Sequence, residues 1–251
     1  MTPMAIAGIV FACVFGGAFL GMFLRTVLPE HHVSGETKDV VKVAIALIAT
    51  MAALVLSLLI STAKSAFDTR GSELVQMSGD IVALDRVLAR FGPEAMDARI
   101  LQRNLIAAAI ERIWPTNGAP PAGFDQTTSP FEVLYDKIDQ LSPQNDSQRS
   151  LKSQALQMAS GLSRTRFLLF QQMGSSIPSP FLVVMVFWLT IIFASFGIFS
   201  PRNATVIAVF LVCALSVAGA IFLILELDRS FEGMMQVSSA PLRQALARLG
   251  G

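Results

Sequence analysis

The sequence predicts an all-α integral membrane protein with four transmembrane helices and a cytosolic helical body inserted between helices 2 and 3. Hydrophobic residues make up 53% of the 251-residue chain and charged residues only 15%, which is typical of membrane proteins. Two uncharged runs, 181–199 and 204–225, hold 19 and 22 residues. About 20 apolar residues, rising about 1.5 Å each, cross a hydrocarbon core of roughly 30 Å. Only the four residues 200–203 join the two runs, so we expect an antiparallel membrane hairpin.

The first hydrophobic run, residues 4–24, is predicted to be a retained span, because it lacks the charged start and short apolar region of a signal peptide. Small residues recur along it every four positions in two adjacent rows. Such rows let a second helix approach closely, since helix association in lipid depends on packing. They fit an oligomer contact or packing within the chain equally well. The candidate oligomer-contact residues are Gly8, Ala12, Gly16, Gly17 and Gly21.

A polar loop, residues 25–42, is predicted to follow. His31 and His32 lie beside Glu30 in this loop, and such residues can bind a metal or sense pH. However, adjacent side chains on an extended loop point apart, and no further ligand is spaced to complete a site. We therefore expect no metal site here.

The second span, residues 43–63, carries a polar stripe. Thr50, Leu54, Ser57, Ser61 and Lys64 advance in steps of three or four residues, so they share one helical face. Polar side chains are costly toward lipid. Either the stripe lines a permeation path, or its hydroxyls bond to their own backbone. The sequence leaves both alternatives open.

Residues 65–177 are polar and predicted to be helical. Apolar residues at alternating steps of three and four predict a helix that ends at Gly92 and Pro93 and packs along a partner. Further helices are expected at 94–113, at 131–141 and over a long segment that leads back to the membrane. A proline-rich loop, 115–130, separates the first two of these. The apolar seam of the first helix is Leu74, Met77, Ile81, Leu84, Leu88 and Phe91.

Charged residues mark the end of the hairpin segment, 178–229. Glu226, Asp228 and Arg229 follow the last span directly. Carboxylates beside a guanidinium can form fork-like pairs with a neighbouring helix, so we interpret these residues as a structural motif. The tail, 230–251, is predicted to hold an amphipathic helix that lies on the membrane face or on the helical body. The predicted domains are thus 1–64, 65–177, 178–229 and 230–251.

Four spans place both termini and the middle segment on one side of the membrane. That side holds all the Lys and Arg residues of the chain except Arg25, Lys38, Lys42 and Arg202. Basic residues favour the cytoplasmic side. We therefore expect a multi-pass protein of the bacterial inner membrane with both termini in the cytoplasm.

Several functional classes do not fit the sequence. The net charge is +1 with acids and bases well mixed, so no nucleic-acid partner is expected. The two cysteines, Cys13 and Cys213, both fall in predicted spans and provide neither a disulfide framework nor a zinc site. No nucleotide-binding loop or nucleophile with a nearby base is apparent. We expect neither an enzyme nor a cofactor.

The second half of the chain contains a series of distinctive motifs. They are Phe187, Trp188, Leu189; Phe193, Ala194, Ser195, Phe196, Gly197; Pro201, Arg202, Asn203, Ala204; Glu226, Leu227, Asp228, Arg229; and Gly233, Val237, Ser238, Ser239, Pro241, Leu242, Arg243. These motifs resemble the bestrophin-like domain family of bacterial membrane proteins, most strongly over residues 177–249 and more weakly in the middle segment, where the runs 84–86 and 91–94 match. The resemblance implies a distant relation to bestrophins, which are pentameric anion channels with four spans and a cytosolic helical body between the second and third.

Two hypotheses for function are favoured over a third, an unrecognised enzyme or transporter. The first is a homo-oligomeric anion channel for chloride or similar small anions, for which the resemblance implies five copies. Bestrophins narrow their pore with bulky apolar residues on the second span, often phenylalanine. This span has no phenylalanine, and Leu54 and Leu58 are the candidate replacements. The second hypothesis is a non-conducting membrane scaffold or assembly protein, which accounts for the architecture but not for the polar stripe.

Overall fold

The computed structural model describes residues 2–29, 35–115, 130–171, 177–231 and 233–250. The regular structure of these residues is helical and includes no strand, which confirms the predicted all-α class. The helices are α1 (Pro3–Val27), α2 (Gly35–Phe91), α3 (Met96–Ile113), α4 (Pro130–Asp139), α5 (Asp146–Gln171), α6 (Ser179–Phe199), α7 (Ala204–Asp228) and α8 (Ala240–Arg248), with a 3-10 turn (Pro93–Ala95) before α3.

Four helices, α1, α2, α6 and α7, are long and apolar enough to cross a bilayer. They correspond to the four predicted spans, each of which is therefore a helix long and apolar enough to cross a bilayer. The predicted loops at 25–42 and 115–130 fall partly outside the described residues, and so do His31 and His32.

Helix α2 continues for 57 residues from Gly35 to Phe91, so the loop predicted at 25–42 was too long. Residues 35–42 contain no proline, and Lys42 forms an ion pair with Asp39 one turn earlier at 3.2 Å. Farther along, Gly71 is the only glycine between 64 and 78, and this stretch contains no proline. A single glycine costs only about 1 kcal/mol in a helix, which is too little to break one that packs on both sides of it.

The chain divides into two compact units. The first, residues 1–66 and 175–228, contains α1, the first part of α2, α6 and α7, and we call it the membrane unit. The second, residues 67–174 and 229–251, contains the rest of α2, α3 to α5 and α8, and we call it the helical body. The predicted domains 65–177 and 230–251 lie almost entirely in this one unit, the helical body.

All four spans contribute to one apolar cluster in the membrane unit. On α1 and α2 the buried residues recur at steps of four or seven, and on α6 and α7 they recur at three, four or seven apart from one adjacent pair on each helix, as expected for one face of a helix packed against neighbours. Helix α2 contributes only one narrow row. The buried residues are Val10, Val14, Ala18 and Met22 of α1; Ile45, Ala52, Leu59 and Ala63 of α2; Met185, Leu189, Ile192 and Phe193 of α6; and Phe210, Ala214, Ile221, Ile224 and Leu225 of α7.

The helical body has a core of its own. Every residue of the predicted seam of α2 is buried in it, together with one face each of α3, α4, α5 and α8. Gln102 of α3 is fully buried among these residues, and its Nε2 donates to the carbonyl of Ile81 on α2 at 2.7 Å. The tail is joined to the same body, because Trp114 Nε1 donates to the carbonyl of Val237 at 3.1 Å.

The turn between α2 and α3 requires a glycine. Gly92 has φ of +129°, a conformation that other residues rarely adopt. The carbonyl of Phe91 just before it accepts a hydrogen bond from Gln148 Nε2 at 2.9 Å. Pro93 then starts the 3-10 turn that leads into α3. This corner aligns α3 with the end of α2 and with the first turn of α5.

Candidate functional site

The predicted polar stripe lies on the outward side of α2. Successive residues of an α-helix turn by about 100°, which places Ala52, Leu59 and Ala63 on one side of α2 and the stripe on the opposite side. The first set is buried against the other spans. The stripe residues and Leu58 are all exposed in the chain, namely Thr50, Leu54, Ser57, Leu58, Ser61 and Lys64.

Two leucines dominate the apolar part of this face. The exposed fractions of Leu54 and Leu58 are 68% and 59%. They lie four residues apart, so they are about one helical turn from each other on the same side of α2. No side chain of the described chain covers them, so either lipid, water or another copy of the protein meets them.

The hydroxyl of Thr50 is already satisfied by its own helix. Its Oγ1 donates to the carbonyl of Ala46 at 2.8 Å. Thr190 and Ser216, in the other spans, bond to their own helices in the same manner. For Thr50 the structure therefore favours the second alternative left open by the sequence, and its donor needs no aqueous partner. The exposed oxygen retains acceptor capacity.

Lys64 lies at the end of this face. Its side chain is exposed at the last residues of the membrane unit, and it has an interaction partner within the chain. A long, flexible side chain of this kind can extend its ammonium group to water while its stem lies along apolar surface.

The two rows of small residues on α1 have different environments. A Cβ atom at Gly17 would lie 2.9 Å from the carbonyl oxygen of Thr190, and one at Gly21 would collide with the carbonyl of Ala194. On the other side of the same contact, Gly197 of α6 leaves no room for a Cβ against Ala18 of α1. This row therefore packs within the chain against α6.

The other row is open. Gly8, Ala12 and Gly16 are exposed, and a Cβ atom at either glycine would meet nothing within 4 Å. Of the five candidate contact residues, these three are available to a second protein, whereas Gly17 and Gly21 are used inside the chain.

Two arginines, Arg25 and Arg202, connect α1 to the hairpin. Arg25 Nη1 donates to the carbonyl of Ser200, and Arg202 Nη2 donates to the carbonyl of Met22 at 2.5 Å. Both cations lie next to the turn between α6 and α7. Their positions beside turns were visible in the sequence, but their partners are more than 170 residues away.

The carboxylates of the motif after α7 are buried. Glu226 and Asp228 are each 4% exposed, whereas Arg229 is exposed. A buried carboxylate is strongly unfavourable without a partner, and none of the three residues lacks one. Their structural role stays a prediction.

No group of three His, Cys, Asp or Glu residues that could hold a metal occurs in the part of the chain that the structure describes. The candidate site thus consists of two surfaces. One is the outward face of α2 with its hydroxyls, leucines and terminal lysine, and the other is the open row of small residues on α1.

The family model of the Bestrophin-like domain matches residues 12–242 of the chain. The match covers most of α1, the helical body, the hairpin and the start of α8. No curated protein and no solved structure matches the chain.

Proposed function

The chain belongs to the bestrophin-like domain family, and from this premise we propose that it assembles with copies of itself into an anion channel. The membrane would be the bacterial inner membrane and the permeating ions chloride or similar small anions. The distant relation to bestrophins suggests five copies. The proposal involves no catalytic residue and no cofactor.

The outward stripe of α2 carries this proposal. Ser57, Ser61 and Lys64 lie on the side of α2 away from the apolar cluster. Hydroxyl and ammonium groups at membrane depth are costly toward acyl chains. A lumen formed by several copies of α2 gives them water and ions instead.

The same face offers the parts of a gated pathway. Copies of Leu54 and Leu58 around an axis would form an apolar constriction that closes by dewetting. Copies of Lys64 at one mouth would raise the local concentration of anions, and this attraction weakens with salt because the Debye length is about 8 Å at physiological ionic strength.

The orientation follows from charge. We place both termini and the helical body in the cytoplasm, where the basic side chains near the membrane, such as Arg70, Arg164 and Arg166, are favoured. In this orientation Lys64 lies at the cytoplasmic mouth and Arg25 and Arg202 lie at the outer surface.

Ion flux in liposomes tests the proposal. The wild-type oligomer should release chloride down its gradient, and Leu54→Ala should raise the rate severalfold because it widens and wets the constriction. Lys64→Glu should lower the preference for chloride over potassium, measured as a shift in reversal potential. Leu215→Ala is the matched control, since Leu215 is exposed to a similar degree on α7 and should leave the flux unchanged.

Two outcomes of these flux measurements would contradict the proposal. If correctly assembled wild type and Leu54→Ala are both silent, the chain is not a channel of this kind and the scaffold hypothesis replaces it. If Leu215→Ala raises the flux as much as Leu54→Ala, the constriction is not on α2.

A further inference from the structure

The helical body has a basic groove between α2 and α8. Its volume is about 450 Å³. Three small residues, Gly79, Ala83 and Ala245, are among those that line it, and a Cβ atom at Gly79 would meet nothing within 4 Å. No Asp or Glu is among the described residues that line it. We call this surface the arginine groove.

Three guanidinium groups line the arginine groove, those of Arg86, Arg90 and Arg248. All three side chains are exposed, and none of them makes an ion pair with any residue that the structure describes. Their mutual repulsion is therefore not offset by any carboxylate among the residues that the structure describes. An elongated anionic partner that lies along the groove would offset this repulsion.

Helix α4 carries a ridge of that charge. Glu132, Asp136 and Asp139 are spaced four and three residues apart, so they project from one side of the helix. The opposite side, with Phe131, Leu134 and Ile138, is buried in the core. We call the three carboxylates, with the exposed Tyr135 between them, the acidic ridge.

Most of the acidic ridge is also without an ionic partner. Asp139 forms an ion pair with Lys152, in which Oδ1 and Nζ are 3.3 Å apart. Glu132 and Asp136 pair with no cation among the described residues. The ten residues of α4 give a rod of about 15 Å, and the stretch of α2 from residue 75 to 90 is about 22 Å long. The ridge is therefore short enough to lie along the groove.

We propose that the acidic ridge of one copy of this chain docks in the arginine groove of the next copy. Both surfaces are exposed in a single chain, so neither occupies the other within one subunit. The inference rests on the proposed homo-oligomer and supplies a contact for it. Because groove and ridge are different surfaces, the contact is head-to-tail, and such contacts close into rings when the rotation permits.

The charges would set the register of the subunits more than the strength of the assembly. An exposed ion pair contributes little by itself, whereas like charges brought together by a wrong partner are strongly repelled. The contact should also weaken as salt increases. Packing of the membrane spans would supply additional affinity.

Charge exchange tests the proposal in the full-length protein. We would compare wild type, Arg86→Glu/Arg90→Glu, Glu132→Arg/Asp136→Arg and the quadruple variant by measuring the dissociation of the oligomer on dilution in detergent. Each double variant should dissociate at a concentration roughly tenfold higher, and the quadruple variant should return most of the way to wild type. Arg103→Glu/Arg164→Glu is the control, since it makes the same charge change at exposed arginines outside the groove.

Melting temperatures establish that each variant is folded before its assembly is interpreted. If both double variants assemble like wild type, or if the quadruple variant is no better than the doubles, the ridge does not occupy the groove. If the arginine variant is weakened only in nanodiscs with anionic lipid and not in detergent, lipid headgroups occupy the groove and the proposal is wrong. If the wild-type protein is a monomer, both this contact and the proposed channel are wrong. If the protein is an oligomer whose dissociation responds to the charge exchange as expected but which passes no ions, only the proposed channel is wrong.

Discussion

Asp85 accepts two hydrogen bonds from one guanidinium inside the helical body. Arg99 Nε donates to Oδ1 at 2.7 Å and Arg99 Nη2 donates to Oδ2 at 3.0 Å. Asp85 is buried and Arg99 nearly so. The hydrogen bond with Asp85 raises the pKa of Arg99 above its ordinary value. The stability linked to this cation would be lost only as the pH rises through that raised value, so the arginine stays charged wherever the protein is folded.

The sequence alone did not reveal the role of Asp85. Asp85 and Arg86 were noted only as part of the run 84–86 in the family resemblance. Asp85 turns out to join α2 to α3, and Arg86 points into the arginine groove instead. The pairing of Asp85 with a residue 14 positions later depends on the tight corner at Gly92, whose geometry a sequence pattern does not specify.

At this scale we predict that Asp85→Asn destabilises the protein. The substitution leaves a nearly buried guanidinium without its counter-ion, and breaking a buried pair from one side costs about 3 kcal/mol or more. For a chain of this size that corresponds to a fall in melting temperature of roughly 6–12 °C in detergent. Arg149→Gln is the comparison, because its ion pair with Asp146 is exposed and should contribute less than about 1 kcal/mol. Equal shifts for the two variants would show that the Asp85 pair is not important for stability.

The two rows of small residues on α1 were predictable from the sequence, but their environments were not. The sequence identified both small-residue rows, because a spacing of four places residues along one side of a helix. It could not say which row faces the chain, since the two rows lie on adjacent sides and both allow a close approach. The decision depends on Gly197 of α6, which provides the other half of the contact with α1.

We therefore predict different effects for leucine at the two rows of α1. Gly21→Leu should lower the melting temperature strongly, because its side chain collides with the backbone at Ala194, and overpacking typically costs about 1–3 kcal/mol. Gly16→Leu should leave the melting temperature of the chain nearly unchanged, since the space around it is open. If the open row is an oligomer contact, Gly16→Leu should weaken assembly roughly tenfold. Light scattering and thermal unfolding in detergent measure the two effects separately.

Two outcomes would contradict this division. Should Gly16→Leu unfold the chain as readily as Gly21→Leu, the row is packed rather than open. Should Gly16→Leu leave both stability and assembly unchanged, the open row meets lipid and the oligomer contact lies elsewhere, for example in the helical body.

For the whole molecule, hydropathy and charge were sufficient to predict four spans and an all-helical fold. Long uncharged runs have few alternatives, because only helices satisfy their own backbone in lipid within a single segment. The sequence did not predict that α2 continues from the membrane unit into the helical body, because the change from apolar to polar residues near 64 looks like a boundary. The side chains change from apolar to polar there, but no proline ends the helix. The proposed channel lumen would be formed by several chains, so neither the sequence pattern nor one folded chain contains it.

The last prediction concerns how the whole chain crosses the membrane. Single cysteines would be placed in a background of Cys13→Ala/Cys213→Ala, because both native cysteines lie in spans. Pro201→Cys probes the exposed turn between α6 and α7, Gln154→Cys probes α5, and Ala247→Cys probes α8. In spheroplasts a membrane-impermeant maleimide should label only Pro201→Cys, and the other two should react only after permeabilisation, because basic residues retain their side in the cytoplasm. Labelling of Gln154→Cys and Ala247→Cys from outside would reverse the orientation and place Lys64 at the outer mouth. Labelling of only one of the two would contradict an even number of crossings between α5 and α8, and with it the membrane hairpin from which the architecture follows.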